Sequence, residues 1–162
     1  MMNFLTAMNG VKMINWDIVP FEGVGKFKLY SSVAEVKKIL DEEKISYSEN
    51  IIDNKICTNP EPWIELNVKN TIGFWVVKDR LFQIWIEKGF IGCLPNGLKI
   101  GMPMKDACKI DTELKFYDWE ENWQSPLGYW IQDEATSKIV TITIFVEEVL
   151  DNDFFYTYEW KK

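Results

Sequence analysis

The chain has 162 residues, of which 18 are basic and 25 acidic, so its net charge is −7 and its pI is near 4.7. Such a negative field repels phosphate backbones and anionic lipid surfaces and attracts basic partners, which argues against direct nucleic-acid and membrane binding. The hydrophobic fraction of 47% and the aromatic fraction of 15% are enough for one compact core and exclude intrinsic disorder.

The N-terminal residues and the cysteines together predict a cytoplasmic protein. The first ten residues lack a basic leader followed by an unbroken apolar stretch, and no window approaches the roughly 18 apolar residues of a membrane span. Three scattered cysteines, an odd number, favour reduced thiols over a disulfide framework. We expect each of them to be a small buried hydrophobic residue: Cys57, Cys93 and Cys108.

A glycine turn, a strand and a short helix are the first predicted elements. The Gly-Val-Gly at residues 23–25 is interpreted as a turn into the strand, because the other glycines and the lysine of a phosphate-binding loop are missing. Ser32 and Glu35 have the spacing of a capping box, in which two side chains satisfy free backbone donors at the start of a helix. Val33, Val36 and Leu40 then follow at helical spacing, which predicts a buried helix face.

After a variable segment, a β-hairpin is predicted at residues 72–79 and 80–86. Both segments are rich in β-branched and aromatic residues, which favour strands. Turn residues between 87 and 97 then separate this part of the chain from the next, with a short strand predicted at 90–94.

The later elements have the same order, beginning with a helix and ending with a hairpin. Pro103 suits a first helical turn, and Met104, Ala107 and Cys108 form an apolar helix face. The last strand alternates between two faces. The more apolar face is predicted to point into the core: Val140, Ile142, Ile144 and Val146, opposite Ile139, Thr141, Thr143 and Phe145.

A weak internal repeat relates these two parts of the chain. Residues 28–39 align with residues 99–110 at an offset of 71 (99 − 28), with three identical positions. Residues 72–79 align with residues 127–133 at an offset of 55 (127 − 72). Because the element order is the same in both parts, we interpret the repeat as a duplication.

The predicted fold is therefore α+β, with two related halves at about 20–88 and 89–150 in one compact domain that spans residues 1–162. Each half has a short helix packed on antiparallel strands, and an acidic-aromatic segment follows the second half. No flexible linker separates the halves, so we expect one continuous sheet or two abutting sheets.

The residues that most enzymes need are missing. The sequence has no histidine, which removes the commonest general base, the usual metal ligand and every Ser-His or Cys-His nucleophile. The cysteines have no metal-site spacing. We therefore predict no catalytic residues, no metal and no cofactor. A carboxylate acid–base pair stays open as an alternative to a solvated acidic surface: Asp118, Glu120, Glu121, Asp133 and Glu134.

Two acidic-aromatic segments are the candidate partner-binding site. Large aromatic side chains supply buried anchors at interfaces, and carboxylates steer and pair with the Lys and Arg of a basic partner. The predicted partner-binding residues lie in residues 117–124 and in the C-terminal segment: Asp118, Trp119, Glu120, Glu121, Trp123, Glu147, Glu148, Asp151 and Asp153.

Short motifs connect the sequence to known families. Phe-Glu-Gly-Val-Gly-Lys-Phe-Lys-Leu at residues 21–29, before the capped helix, resembles the opening of immunity proteins from bacterial contact-dependent growth inhibition. Residues 89–92 and 96–101 look like a second copy of that opening, although Tyr30 stands where the pattern has glycine. Lys-Ile-Gly-Met at residues 99–102 is also similar to the helix entry of β-lactamase inhibitor protein and of the lipoprotein BamE.

The resemblance implies a cytoplasmic immunity protein that is not an enzyme. Its partner would be the C-terminal domain of a cognate bacterial toxin, a basic protein and expected nuclease, neutralised by occlusion of its active site or substrate surface. Three alternatives stay open. They are a small-molecule binding module with a pocket between the halves lined by Trp75, Trp85 and Trp130, a carboxylate-based hydrolase, and a self-associating assembly protein.

Overall fold

An eight-stranded antiparallel sheet dominates the computed structural model, which describes residues 3–8, 11–53, 61–135 and 137–161, with side chains from Trp16 onward. Two three-stranded sheets and short helices complete the described part of the chain. This mixture of mainly antiparallel strands with a few helices confirms the predicted α+β class.

The elements are numbered in chain order. The small sheets contain β1 (Asn3–Met8), β2 (Val11–Asn15) and β10 (Phe90–Ile91), and β3 (Ile18–Val19), β4 (Gly23–Val24) and β5 (Phe27–Lys28). The large sheet contains β6 (Ser48–Ile52), β7 (Trp63–Val68), β8 (Ile72–Val77), β9 (Arg80–Ile86), β11 (Lys115–Tyr117), β12 (Asn122–Ser125), β13 (Tyr129–Asp133) and β14 (Ile139–Phe145). The helices are α1 (Val33–Glu42), α2 (Met104–Ile110) and α3 (Phe154–Thr157), with a 3₁₀ helix at Glu147–Leu150.

The strand order of the large sheet is β11-β12-β13-β14-β9-β8-β7-β6, and every neighbouring pair is antiparallel. Strands β9 and β14 meet at the centre, where Ile84 pairs with Ile144 and Gln83 with Phe145. One side of the sheet comes from the chain after α1 and the other side from the chain after α2. Of the two arrangements expected from the sequence, one continuous sheet or two abutting sheets, the large sheet has the first.

Both predicted helices form, α1 with its predicted capping box, whereas Pro103 is the extended N-cap of α2 and not part of its first turn as predicted. In α1, Glu35 N donates to Ser32 Oγ at 3.2 Å and Ser32 N donates to Glu35 Oε2 at 2.7 Å, which completes the capping box. Its Val36 and Leu40 side chains are fully buried. Helix α2 begins after Pro103. No helix in the described ranges is long and apolar enough to cross a membrane.

One face of the large sheet is the core of the molecule. The side chains that point to this covered face are almost completely buried: Leu66, Ile72, Phe74, Val76, Ile84, Ile86, Ile131, Ile142 and Ile144. Phe74 packs there against Phe27 of β5, with the ring centroids 4.5 Å apart and the planes tilted by 54°, and the helices contribute to the same cluster. The opposite face, called the open face below, carries the alternate residues of the same strands.

The alternation predicted for β14 holds for only part of the strand. Ile142 and Ile144 face the core as predicted. Ile139 is also buried and Val140 is only half-buried, so the prediction for these two residues was wrong. The pairing register with β13 shifts between Gln132 and Asp133, and such a bulge reverses the faces of the residues beyond it.

The prediction for the cysteines was also wrong in part. Cys93 is exposed and Cys108 is half-buried, and both are free thiols. Cys93 follows the short strand β10 in a turn-rich segment at the surface, where its side chain is exposed. Cys57 lies outside the described residues.

Candidate binding surfaces

The β11–β12 hairpin presents four of the predicted partner-binding residues on its turn: Asp118, Trp119, Glu120 and Glu121. All four are exposed, and the Trp119 side chain is 93% exposed. The flanking strands pair in register, with Tyr117 opposite Asn122. We call these four residues the acidic tip. They form one continuous surface at an outer edge of the large sheet.

Trp123, in β12 just after the acidic tip, packs against the hairpin and does not point into solvent. It is half-buried, its ring lies 5.4 Å from the Phe116 ring, and its Nε1 donates to Asp133 Oδ1 at 3.3 Å. A depression of about 550 Å³ lies beside this pair and includes Asp118 and Glu121 in its wall. Asp133 is also in this wall, so three of the carboxylates named for the hydrolase alternative line one open depression.

The C-terminal candidates do not all lie on the surface. Glu147, Asp151 and Asp153 are exposed. Glu148 is only 1% exposed, and it accepts hydrogen bonds from Tyr30 Oη at 2.7 Å and from the Lys161 backbone N at 2.7 Å. A carboxylate in this position anchors the C-terminal segment to the fold and is not accessible to a partner.

A second depression, of about 450 Å³, lies between the hairpin and the C-terminal segment. Its wall includes Lys115 and Tyr117 of β11, Trp130 of β13 and Leu150 of the 3₁₀ helix. Tyr117 and Leu150 are 43% and 58% exposed. The two predicted acidic-aromatic segments therefore border the same depression.

Three half-buried tryptophans, Trp75, Trp85 and Trp130, gather on the open face near the central strand pair. They line a depression of about 320 Å³. Its polar lining residues come from β9, β12, β13, β14 and the residue after β9: Gln83, Glu87, Asn122, Gln132, Thr141 and Thr143. These are the three tryptophans proposed from the sequence for a pocket between the halves.

The orientation of these indoles follows from their neighbours. Trp85 pairs with Gly73 of β8, where a Cβ atom would overlap the indole ring, so the ring lies against the β8 backbone. The Trp75 ring lies 5.4 Å from it at an angle of 35°. On the other side, Trp130 packs on Phe145 at 4.5 Å. These contacts hold the rings in place before any ligand arrives.

The most deeply buried polar network belongs to the core. Asp111, just after α2, accepts hydrogen bonds from Ser125 Oγ at 2.6 Å and from Tyr129 Oη. Burial, followed by this hydrogen bond, raises the pKa of Tyr129 to about 12. Tyr129 Oη also accepts from Asn96 Nδ2 at 3.1 Å. The network ties the loop before α2 to the large sheet and offers no open carboxylate pair.

Sequence reasoning missed both Asp111 and the burial of Glu148. Neither residue has a local signal, because their partners lie 18 and 118 positions away in the chain. Among the described residues no group of three or more His, Cys, Asp or Glu side chains is arranged to hold a metal ion.

Comparison with protein-family models, with curated proteins and with solved structures gives no match.

Proposed function

We propose that this chain is a cytoplasmic immunity protein that binds a cognate bacterial toxin domain through the acidic tip. The partner is a basic domain, expected to be a nuclease, and the chain acts as a stoichiometric inhibitor and not as an enzyme. The observation that carries the proposal is the 93% exposure of Trp119 between Asp118, Glu120 and Glu121. A side chain of this size with almost no contact in the free protein is a candidate interface anchor.

The acidic tip combines two properties that suit a basic partner. Its carboxylates attract Lys and Arg and raise the rate of encounter, whereas Trp119 supplies apolar area that becomes buried on docking. Loss of an anchor of this kind costs about 2 kcal/mol or more of binding free energy. The tip projects from an edge hairpin, so it can enter a cleft such as the substrate path of a nuclease.

The exposed C-terminal carboxylates extend the same surface. Leu150, in the wall of the 450 Å³ depression, is preceded in the chain by the exposed Glu147 and followed by the exposed Asp151 and Asp153. Glu148 is left out of the proposed interface because it is buried. We assign the rim charges to steering and the depression, with Tyr117 and Leu150 in its wall, to packing.

We also propose that the two halves arose by duplication, and local geometry supports this. Tyr30 N donates to Leu81 O at 2.8 Å, and Gly101 N donates to Ile139 O at 2.8 Å. Leu81 N in turn donates to Ser31 O at 2.8 Å, and Ile139 N donates to Met102 O at 2.9 Å. Tyr30 and Gly101 are equivalent in the sequence repeat and both have positive φ angles, 72° and 86°.

The pairing of the sheet supports the same proposal. Ile84 pairs with both Ile144 and Phe74, and Ile144 pairs with Tyr129, the repeat equivalent of Phe74. A two-fold axis through the Ile84–Ile144 pair would therefore exchange the halves. An experimental structure tests this by superposition of residues 29–86 on 100–145. A best fit that fails to place Ile84 on Ile144 would argue against duplication.

Affinity capture from the native host tests the proposed function, with three baits compared. The wild-type chain is expected to retain one basic domain at equal stoichiometry. Trp119→Ala and the pair Glu120→Lys with Glu121→Lys are expected to lose it. The matched control is Asp41→Lys with Glu42→Lys, which makes the same charge change on the exposed side of α1.

Co-expression then tests inhibition. The captured domain alone is expected to stop growth, and the wild-type chain is expected to restore it. If the captured domain is harmless, the immunity role is wrong. If the tip variants bind and protect as well as wild type, the acidic tip is not the interface.

The second candidate function is a small-molecule binding module. It is favoured by the position of Trp75, Trp85 and Trp130 around one depression on the open face. A volume of about 320 Å³ is at the lower end of the range for ligand sites. Co-purification of a small molecule that is lost in Trp130→Ala would support it.

A further inference from the structure

We propose that the depression on the open face binds a neutral oligosaccharide, with Trp85 and Trp130 as its two stacking platforms. This inference rests on the second candidate function, a small-molecule site, and is independent of the acidic tip. It adds the chemical class of the ligand, which follows from the chemistry and the spacing of the lining residues.

The two platforms lie in one line across the sheet. Trp130 of β13 pairs with Thr143 of β14, and Thr143 pairs with Trp85 of β9. Neighbouring strands are about 4.8 Å apart, so the two tryptophan backbones are roughly 9.6 Å apart with a threonine between them. The Trp130 ring packs on Phe145 of β14 and the Trp85 ring lies over Gly73 of β8, so one strand, β9, also separates the strands that the two rings contact, and a ligand of disaccharide length can reach both. Each indole can then cover the apolar C–H face of one sugar ring.

The polar residues beside the platforms suit hydroxyl groups. The lining contains the amides of Gln83 and Gln132, the hydroxyl of Thr141 and the carboxylate of Glu87. Within the described ranges, neither the two glutamine amides nor the Thr141 hydroxyl makes a side-chain hydrogen bond to the protein. Amides and hydroxyls both donate and accept hydrogen bonds, as the hydroxyl groups of a sugar do.

The charge and hydrogen-bonding groups of the lining disfavour anionic ligands and proline-rich peptides. It contains one carboxylate and no Lys or Arg side chain, so it disfavours phosphates and other anions. Proline-rich peptides also bind aromatic grooves, but they offer mainly carbonyl acceptors. Glu87 is an acceptor-only group when ionised, and it needs a ligand with donors. A polyhydroxylated neutral ligand satisfies both the indoles and the carboxylate.

Isothermal titration with cellohexaose, chitohexaose, xylohexaose and maltohexaose tests the proposal, with a proline-rich decapeptide as the competing ligand. At least one of the four sugars is expected to bind, and the decapeptide is expected not to bind. Trp130→Ala is expected to weaken sugar binding about tenfold, because it removes one stacking platform. Gln132→Ala, at an exposed position, is expected to weaken binding severalfold without loss of stability.

Trp119→Ala is the matched control, because it removes a tryptophan from the acidic tip and leaves the depression intact. It is expected to bind sugar like wild type. The proposal is overturned if none of the four sugars binds, if Trp130→Ala and Gln132→Ala both bind sugar normally, or if the decapeptide displaces the sugar. Trp130 also lies in the wall of the 450 Å³ depression, but sugar binding is measured without the toxin domain and toxin capture without sugar, so each proposal can fail while the other stands.

Discussion

At the scale of single residues, two buried hydrogen-bond pairs hold segments together that are distant in sequence. Tyr30 bonds Glu148, and Tyr129 bonds Asp111. In each pair a phenol satisfies a buried carboxylate, which would otherwise carry a large desolvation cost. The phenols are favoured in their neutral form, and burial together with the hydrogen bond raises the pKa of both tyrosines above the ordinary value.

Tyr30→Phe is expected to destabilise the protein by about 1–3 kcal/mol, because Glu148 loses a donor and stays buried. Urea unfolding measures the change. Tyr156→Phe is the control, since Tyr156 is 57% exposed and should tolerate loss of its hydroxyl. Equal stabilities of the two variants would show that the Tyr30–Glu148 bond contributes nothing net.

The raised pKa of Tyr129 predicts a loss of stability at high pH. The folded state holds this proton to about pH 12, whereas the unfolded chain releases it near pH 10. The contribution is therefore complete below pH 10 and is lost as the pH rises toward 12, by up to about 2.7 kcal/mol. Unfolding free energies measured across this window should fall less steeply in Tyr129→Phe. An unchanged slope would contradict the assignment.

At the scale of elements, the sequence predicted those parts whose local pattern agrees with their environment. Helix α1 has its capping box and apolar face, and β8, β9 and β14 have clear period-two or apolar patterns. Strand β6 was not predicted, because all five of its residues are exposed and mixed in character. The bulge in β14 depends on its pairing with β13, so no pattern within the strand could show it.

The sequence predicted which residues belong to the candidate surfaces, but it did not predict which of their side chains are exposed. Trp119 and Trp123 are both in one acidic-aromatic run, yet only the first is exposed, because Phe116 and Asp133 contact the second. We expect Trp119→Ala to change the unfolding free energy by less than about 0.5 kcal/mol. Trp123→Ala should cost about 3 kcal/mol. Thermal unfolding compares the two, and a large loss in Trp119→Ala would mean that the tip has a structural role.

The Trp85 ring of β9 can lie against the β8 backbone on the open face because residue 73 is glycine and has no Cβ atom. Gly73→Ala is expected to displace the Trp85 ring and destabilise the protein by about 1–3 kcal/mol. In a Trp85→Ala background the same change should be nearly neutral, because the overlapping ring is gone. A double-mutant cycle by urea unfolding measures this coupling. Additive losses would show that the ring does not lie against β8.

At the scale of the whole molecule, the acidic tip carries three exposed carboxylates at an edge of the sheet, whereas the depression on the open face has one carboxylate in its lining. This separation allows two different binding events. Docking at the tip should depend strongly on salt, whereas binding in the open-face depression should not.

We therefore expect the association rate with the captured basic domain to fall as ionic strength rises. Replacement of Glu120 and Glu121 by Lys should both slow association and flatten this salt dependence. The control with Asp41 and Glu42 replaced should keep the wild-type salt dependence, because these residues lie on α1. Stopped-flow mixing at several salt concentrations measures the slopes. Parallel slopes for both variants would mean that only net charge matters.

The central pairing of β9 with β14 also has a consequence for synthesis on the ribosome. Strand β9 ends at residue 86, and its partner begins only at residue 139. While the intervening residues are translated, the hydrogen-bonding edge of β9 has no strand to cover it. An open edge rich in Leu, Phe and Ile is a target for pairing with another nascent chain. The protein therefore has a period of vulnerability to aggregation that ends only when β14 leaves the exit tunnel, and slow translation between the two strands would lengthen it.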